Sequence, residues 1–514
     1  MIASPPFLRE IWDRLARGEV RGKEDLQRVK AELVRVHRLS GIPPDSEVLE
    51  GAPPGLREAF VEVLRVKPTR SASGVAVVSV MTPPHECPHG TCVYCPGGPR
   101  FGTPQSYTGT EPAARRAATH RYDPLEQTVA RLEQLRRGGH TTDKIDFIIL
   151  GGTFTALDLG FRETFVKSCF DGLNGSIAGD LEEAQARNET APARCIGLTI
   201  ETKPDCFLGG EVEESLRLGT TRVEFGVQTT HDDVLQLVNR GHSDADSRAA
   251  TLRAKDAGLK VCYHMMPGLP GSDVDRDLDS FRAIFEDPQY RPDMLKIYPT
   301  LVLEGTGLYT MWTHGRYRPM TTDEAIELLA KMKEIVPPWV RIQRIQREIG
   351  ADLILGGPTK GDLRVRAQRS LESRGGRCRC IRCREIGLGG RAARTDRVEL
   401  HRIEYESSGG REVFLAFEDP EGTTLIGYAR LRLSEAGAFL RELKVFGQVV
   451  PIAAEPGERW QHRGYGATLL RECERLSREH GRRELLVTSG VGVRGYYRRF
   501  GYRRSGPYMS KVLP

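Results

Sequence analysis

Apolar residues along this 514-residue chain follow three successive patterns. Up to residue 67 they keep helical spacing (Phe7, Ile11, Leu15, then Leu26, Val29, Leu33 and Val34), broken at Gly41-Ile42-Pro43-Pro44. This predicts a small helical region. Next come six apolar, β-branched runs at Val75–Met81, Ile145–Leu150, Cys195–Ile200, Thr221–Val227, Leu259–His264 and Met294–Tyr298. Helical patterning fills the gaps, as in Pro124–Arg137, Arg162–Leu173 and Asp273–Phe285. Strands alternating with helices predict a parallel sheet of βα units, doubly wound or closed as a barrel. The last pattern, from about residue 396, has strand-like runs (Val413–Phe417, Leu425–Arg432, Glu442–Val450), an amphipathic helix at Ala467–Glu479 and a further strand at Glu484–Ser489. It predicts a second, mixed sheet.

Composition narrows the class. With 39% apolar and 28% charged residues the chain reads as globular, and its length calls for several domains. No apolar run approaches the roughly 20 residues that span a bilayer, and MIASPPFLREIWDRL is not a signal peptide, so the expectation is a cytoplasmic protein without a membrane partner. Eleven cysteines in that compartment point away from disulfides. Six of them form two tight groups, which is the usage expected of metal ligands.

The first group is Cys87, Cys92 and Cys95, spaced C-x4-C-x2-C among Pro83, Pro84, Pro96, Gly97, Gly98 and Pro99. Such a loop bends three thiolates toward one point. Three thiolates without a fourth suit a [4Fe–4S] cluster with one open iron; spacing alone equally admits zinc with His85 or His89. The loop follows the first strand, where α/β folds place working residues. Later strand ends carry polar or glycine-rich signals: Gly151-Gly152-Thr153-Phe154, Glu201-Thr202-Lys203-Pro204-Asp205, Glu224 to Gln228, His264 to Gly271, and Lys296 with Tyr298. Together they describe one lined mouth.

Residues 346–395 hold twelve Arg or Lys against five Asp or Glu and read as a basic connector. Local positive charge favours a polyanion such as RNA, with Arg379, Arg382 and Arg384 as candidate contacts; a solvated linker explains it equally well. The second group, Cys378, Cys380 and Cys383 (C-x-C-x2-C), lies here and reads as a metal site whose fourth ligand is His401 or water. In the last region Gln461-His462-Arg463-Gly464-Tyr465-Gly466 precedes the amphipathic helix as Q-x-x-G-x-G. Backbone N–H groups and the helix dipole at such a start favour a pyrophosphate.

The strings CPHGTCVYCPGGP, PQSYTGTEP, GGTF, IETKPD, EFGVQT, NRGH, HMMPGLPG and LKIYPTLV resemble the radical S-adenosylmethionine (SAM) enzymes, and more narrowly the catalytic subunit of Elongator. The cysteine spacing has one residue more than most radical SAM enzymes and a shorter first gap than eukaryotic Elongator subunits. The region around Q-x-x-G-x-G and RGYYRRFGY resembles a Gcn5-related N-acetyltransferase. The resemblance implies an α/β architecture: a partial (β/α)6 radical SAM barrel, an N-terminal helical tRNA-binding region and a C-terminal mixed α/β acetyltransferase domain. The expected bounds are 1–74, 75–345, a basic zinc-binding linker at 346–395, and 396–514.

The resemblance also implies roles. Cys87, Cys92 and Cys95 would hold the cluster, with SAM beside Gly151, Gly152, Glu201, Lys203 and Gln228. Acetyl-CoA would meet Lys296, Gln461, His462, Arg463, Gly464, Tyr465, Gly466, Tyr496 and Tyr497, of which Lys296, Tyr496 and Tyr497 are the catalytic candidates. Zinc would sit on Cys378, Cys380 and Cys383. The implied reaction joins the acetyl unit of acetyl-CoA to C5 of the wobble uridine in a tRNA anticodon loop, giving 5-carboxymethyluridine. It needs an electron donor and no obligate Elongator-type subunits. A protein lysine N-acetyltransferase is the competing expectation; it would leave the cysteine triplet idle.

Overall fold

The computed structural model describes residues 3–53, 55–67, 71, 73–386, 397–446 and 464–514. Four helices, α1 (Pro5–Ala16), α2 (Lys23–Val36), α3 (Asp45–Glu50) and α4 (Leu56–Leu64), form the N-terminal region. Their periodic apolar faces meet: Phe7, Ile11, Trp12, Leu15, Leu26, Val29 and Leu33 are buried together. Asp45 draws Lys23 and the buried Lys30 to 2.6 and 2.7 Å. The region docks on the helix Pro124–Arg137, where Arg57 and Arg65 donate to the carbonyls of Arg136 and Gly139.

The central sheet contains β1 (Ala76–Met81), β2 (Lys144–Leu150), β3 (Arg194–Thr202), β4 (Thr220–Gln228), β5 (Lys260–Met265) and β6 (Met294–Ile297). A short β7 (Val302–Leu303) follows, then β8 (Arg341–Ile345) and β9 (Ile354–Gly356). The order is β1-β2-β3-β4-β5-β6-β8, every pair parallel, while β7 and β9 form a separate antiparallel pair. The six expected strands are present and β8 extends them. Side chains alternate across each strand. On β2, Ile145, Phe147 and Ile149 pack under the surrounding helices, while Asp146, Ile148 and Leu150 line the concave face. On β4, Val223, Phe225 and Val227 face the helices; Arg222, Glu224, Gly226 and Gln228 face inward.

The stretch expected to be a basic connector is folded as far as residue 386. Leu363, Ala367 and Leu371 of the helix Leu363–Ser373 are buried in the barrel's core, as are Cys378 and Cys380. Amphipathic spacing in an arginine-rich segment is the physical reason: the charges point out and the apolar stripe packs.

The C-terminal sheet comprises β10 (Glu399–Ser407), β11 (Gly410–Glu418), β12 (Leu425–Ser434), β13 (Gly437–Val445), β14 (Glu484–Val487), β15 (Arg503–Ser505) and β16 (Tyr508–Val512). Its order is β10-β11-β12-β13-β14-β16-β15, antiparallel except β13 with β14. That parallel pairing spans only Phe439–Leu486 and Leu440–Val487, so β13 from Arg441 onward parts from β14. A bulge at Arg441 marks the parting, because Arg430 pairs with Glu442 and Leu431 with Leu440. The helix Tyr465–Glu479 packs across this sheet through Leu469, Leu470, Cys473 and Leu476.

The bulge turns Arg441 into the junction with the barrel. Its guanidinium holds Asp293 at 2.6 and 2.7 Å, Glu412 at 2.7 Å and the Leu259 carbonyl at 2.9 Å, all buried. Arg430, Arg432 and Lys255 complete the network with Glu442, Asp256 and Glu412. Trp339 stacks on Tyr405 across the same junction, ring centres 4.3 Å apart. Leu259, Asp293 and Trp339 precede β5, β6 and β8, so the C-terminal sheet sits on the N-terminal edge of the barrel strands. Among the described residues no helix is long and apolar enough to cross a membrane.

Candidate active site

A cavity of about 370 Å³ occupies the concave face. At the C-terminal ends of the strands it is lined by Cys87, Cys92, Cys95, Gly152, Gln228 and Met266; toward the N-terminal ends it reaches Asp146, Arg222, Gln343 and Arg382. Cys92 and Cys95 are buried and Cys87 half-buried. Each sulfur has a polar neighbour. Thr153 Oγ1 is 3.4 Å from Cys87, His89 Nε2 is 3.2 Å from Cys92, and the Ser106 N–H donates to Cys95 at 3.1 Å. Arg240, which also donates twice to the Gly226 carbonyl, reaches Cys92 at 3.8 Å.

The donor set discriminates between metals. Among the described residues, the groups whose ligand atoms lie within 4.8 Å of one another are Cys378/Cys380/Cys383 and Glu224/Cys262/His264, and Cys87, Cys92 and Cys95 form no such group. Tetrahedral zinc would draw sulfurs to about 3.8 Å. His85 turns its Nδ1 to the Pro83 carbonyl at 3.1 Å, and His89 is held between Cys92 and Lys203. Widely set sulfurs with surrounding N–H and O–H groups fit a cluster better than one ion. Burial pushes the Cys87 thiol upward and Cys95 up to about 11, so bound iron would have to draw off their protons.

The residues expected to hold SAM divide. Gly152 lines the cavity and a Cβ there would stand 3.9 Å from the Cys87 sulfur. Gly151, at φ 133°, lies behind it; a Cβ would fall 2.0 Å from Thr82 Oγ1, so close packing requires that glycine. Gln228 has φ 72° and a buried Oε1 without a partner, an orphaned acceptor aimed into the cavity. Glu201 accepts from Lys296 Nζ at 2.9 Å and the Tyr107 hydroxyl at 3.1 Å. Lys203 donates to Asp205 at 3.1 Å and meets His89 Nδ1 at 2.9 Å, so it positions the histidine beside Cys92. Burial, then the nearby Lys203 and Arg240 charges, depress His89 to about 4.

Lys296 lies in the cavity wall, ion-paired with Glu201 and with the buried Glu224. Burial would lower its pKa, but Glu224 outweighs it and holds Lys296 well above the usual lysine range. Glu224 is opposed by burial and held far down by Lys296 and His264, the latter at 2.8 Å. Arg222, Arg240, Tyr107, Tyr298, Arg344 and Arg347 also line the space. Sequence reading marked Glu224, His264 and Tyr298 as strand-end polar positions but assigned them no role. The period-two alternation of Arg222-Val223-Glu224-Phe225-Gly226 would have placed Arg222 beside them.

In the C-terminal domain Gln461, His462 and Arg463 lie outside the described residues. Gly464 caps the helix start at φ 86°, with open space where a Cβ would stand. Tyr465 rests its ring on Phe417 at 4.8 Å. Tyr496 is half-buried, its hydroxyl 2.9 Å from a Cβ placed on Gly466, whereas Tyr497 is buried in the domain core. The three arginines expected at RNA also separate. Arg379 is exposed and Arg382 lines the cavity. Arg384 is corrected: it is buried, ion-paired with Glu418, and donates to the Arg379 and Pro338 carbonyls, leaving no free face for a phosphate.

Cys378, Cys380 and Cys383 converge closely enough for one metal ion. Their mutual contacts push Cys378 up and Cys380 down, as expected of thiols sharing protons. His401 is absent from that group.

The chain matches four families: ELP3 N-terminal domain at residues 6–72, Radical SAM superfamily at 81–284, Radical_SAM C-terminal domain at 292–373, and Acetyltransferase (GNAT) family at 388–502. It is 47% identical to the tRNA uridine(34) acetyltransferase of Methanocaldococcus jannaschii, over 99% of this chain and 97% of that protein. It is 44% identical to Elongator complex protein 3 of Schizosaccharomyces pombe, over 95% and 94%. Among solved structures, the archaeal Methanocaldococcus infernus Elp3 lacking residues 1–46 superposes with a TM-score of 0.76 at 43% identity, over 86% of this chain and all of that one.

Proposed function

The chain belongs to the Elongator complex protein 3 family, and on that premise we propose that it is a tRNA carboxymethyluridine synthase. It takes the acetyl unit of acetyl-CoA to C5 of the wobble uridine. The observation that carries this reading is the continuous cavity. Its upper end holds the cysteines, and its lower end reaches Arg222, Gln343 and Arg382 at the edge of the barrel on which the C-terminal sheet sits, Arg341 lying 5.8 Å from the Phe446 ring across that edge. With the acetyltransferase domain packed at the foot of that cavity, the two modules act on one acetyl group.

Cys87, Cys92 and Cys95 would hold the cluster, which together with SAM would supply the radical chemistry that activates the acetyl methyl. The protein positions and encloses. Thr153, His89 and Ser106 set the three sulfurs, with Arg240 beside Cys92, while Gly152, Glu201 and Gln228 receive SAM's polar groups. Gly464 and Gly466 admit the CoA pyrophosphate, and Tyr496, at the same helix start, faces the thioester arm; Tyr497 supports it from the core. Lys296 offers a fixed positive charge to the thioester oxygen. Arg344, Arg347 and Arg382 line the cavity and meet tRNA phosphates as the uridine swings out of the anticodon loop. Arg379, exposed on the surface, and the N-terminal helices supply further tRNA contacts.

Cys378, Cys380 and Cys383 hold zinc as a structural pin between barrel and acetyltransferase. An external electron donor is required, no Elongator-type subunits are, and the enzyme works in the cytoplasm. Anaerobic incubation of the reconstituted protein with tRNA, SAM and acetyl-CoA, followed by nucleoside mass spectrometry, tests the reading. It predicts 5-carboxymethyluridine; N-acetylated protein with unmodified tRNA would refute it.

A further inference from the structure

The wall of the cavity contains a carboxylate–imidazole pair that neither radical formation nor acetyl-CoA binding uses. His264 on β5 and Glu224 on β4 meet at 2.8 Å through Nε2 and Oε2. Glu224 is buried, while the His264 side chain retains 14% exposure, into the cavity. The flanking strands surround the pair with Glu201, Arg222, Cys262, Lys296 and Tyr298. Cys262, His264 and Glu224 lie close enough to ligate a metal. The Lys296 ammonium and Arg222 guanidinium already flank the carboxylate, so a further cation would be repelled.

The same cations keep Glu224 ionised, and an ionised carboxylate fixes the proton on His264 Nε2. That leaves Nδ1 with a lone pair and no hydrogen-bond partner among the described residues, on a ring that lines the cavity. In the β5–β6 register His264 stands directly beside Lys296, which brings an imidazole base and a fixed ammonium to one spot.

We propose that His264, oriented by Glu224, is the general base for the hydrolysis that releases CoA from the uridine-linked thioester. This rests on the function proposed above. The methyl carbon that bonds to uridine is one bond from the thioester carbonyl, so that carbonyl lies at the same depth of the cavity. A water gives a proton to Nδ1 as its oxygen bonds to the carbonyl carbon, and Lys296 faces the oxyanion. The C–S bond then breaks and the thiolate recovers the proton from His264. The products are the carboxymethyl acid and CoA thiol, and nothing is oxidised or reduced.

The test is His264→Gln in the full-length enzyme, assayed with tRNA, SAM and acetyl-CoA, with intact tRNA digests examined by mass spectrometry. Glutamine keeps a donor toward Glu224 but supplies no base. The expected result is 5-carboxymethyluridine reduced roughly 10²–10⁴-fold, with a nucleoside still bearing CoA accumulating in its place. In His264→Gly, added imidazole should restore the acid, which a purely structural role would not allow. Wild-type yields of the acid from His264→Gln would overturn the assignment. So would loss of both acid and CoA adduct, which would place His264 before carbon–carbon bond formation. If wild-type enzyme itself gives no 5-carboxymethyluridine, the underlying function fails and the assignment falls with it.

Discussion

Replacing Arg441 with methionine tests how the two catalytic modules are held in register. Around it, Lys255, Arg430, Arg432 and Arg441 face Asp256, Asp293, Glu412 and Glu442, four cations against four carboxylates. Arg441, Asp293 and Glu412 are essentially inaccessible to solvent. Methionine fills similar volume but leaves one buried negative charge unbalanced. Breaking a buried pair from one side costs about 3–5 kcal/mol. Lys255 and Arg430 remain near the orphaned acids, so the lower end, about 3 kcal/mol, applies. Hydrogen exchange on peptides covering β11 to β13 should accelerate roughly a hundredfold, since 1.4 kcal/mol is a factor of ten. Adding Asp293→Asn removes the orphaned charge and should recover about half of the loss. Exchange within about threefold of wild type in Arg441→Met, or a double variant as unstable as the sum of its parts, would refute the charge-balance argument.

Three further outcomes follow from individual contacts. Gly466→Val drives a side chain into the Tyr496 hydroxyl and should weaken acetyl-CoA binding tenfold or more by calorimetry, with the iron content unchanged. Cys380→Ala removes one ligand of a three-thiol site; zinc content should fall by about one equivalent and thermal unfolding should move down by several degrees. Asp277 is raised to about 6 by burial, against hydrogen bonds from Ser272 and the Gly268 N–H. The folded protein therefore binds this proton more tightly than the unfolded chain does. Stability should fall by on the order of 3 kcal/mol as pH rises from about 4 to 6, then level off. Asp277→Asn should abolish that slope in pH-dependent denaturation.

The parallel strands were legible because strands covered by helices are apolar on one face at least, and β2 to β5 meet that condition. β8 escaped notice: Arg341-Ile342-Gln343-Arg344-Ile345 carries polar side chains toward the cavity and is only five residues long. β10 was missed for a related reason, its Glu399, Arg402 and Glu404 standing on an edge strand. Both cysteine groups were visible as spacing, yet spacing alone does not separate a cluster from a single ion; in the fold Cys378, Cys380 and Cys383 converge within 4.8 Å and Cys87, Cys92 and Cys95 do not. Charge was the least legible feature. Arg384 looks in sequence like its neighbours Arg379 and Arg382, and only the approach of Glu418, from a strand 34 residues away, marks it as structural. The interior pair of Glu224 and His264 and the bulged Arg441 depend likewise on register between strands distant in sequence, which no local pattern encodes.

The central claim is that barrel and acetyltransferase domain work on the same acetyl group through one cavity. Acetyl-CoA deuterated on its methyl tests it most directly, with 5′-deoxyadenosine and the tRNA nucleosides examined together by mass spectrometry. The account predicts deuterium in 5′-deoxyadenosine and the remaining deuterium in the carboxymethyl group of the same reaction. Unlabelled 5′-deoxyadenosine alongside labelled carboxymethyluridine would contradict it.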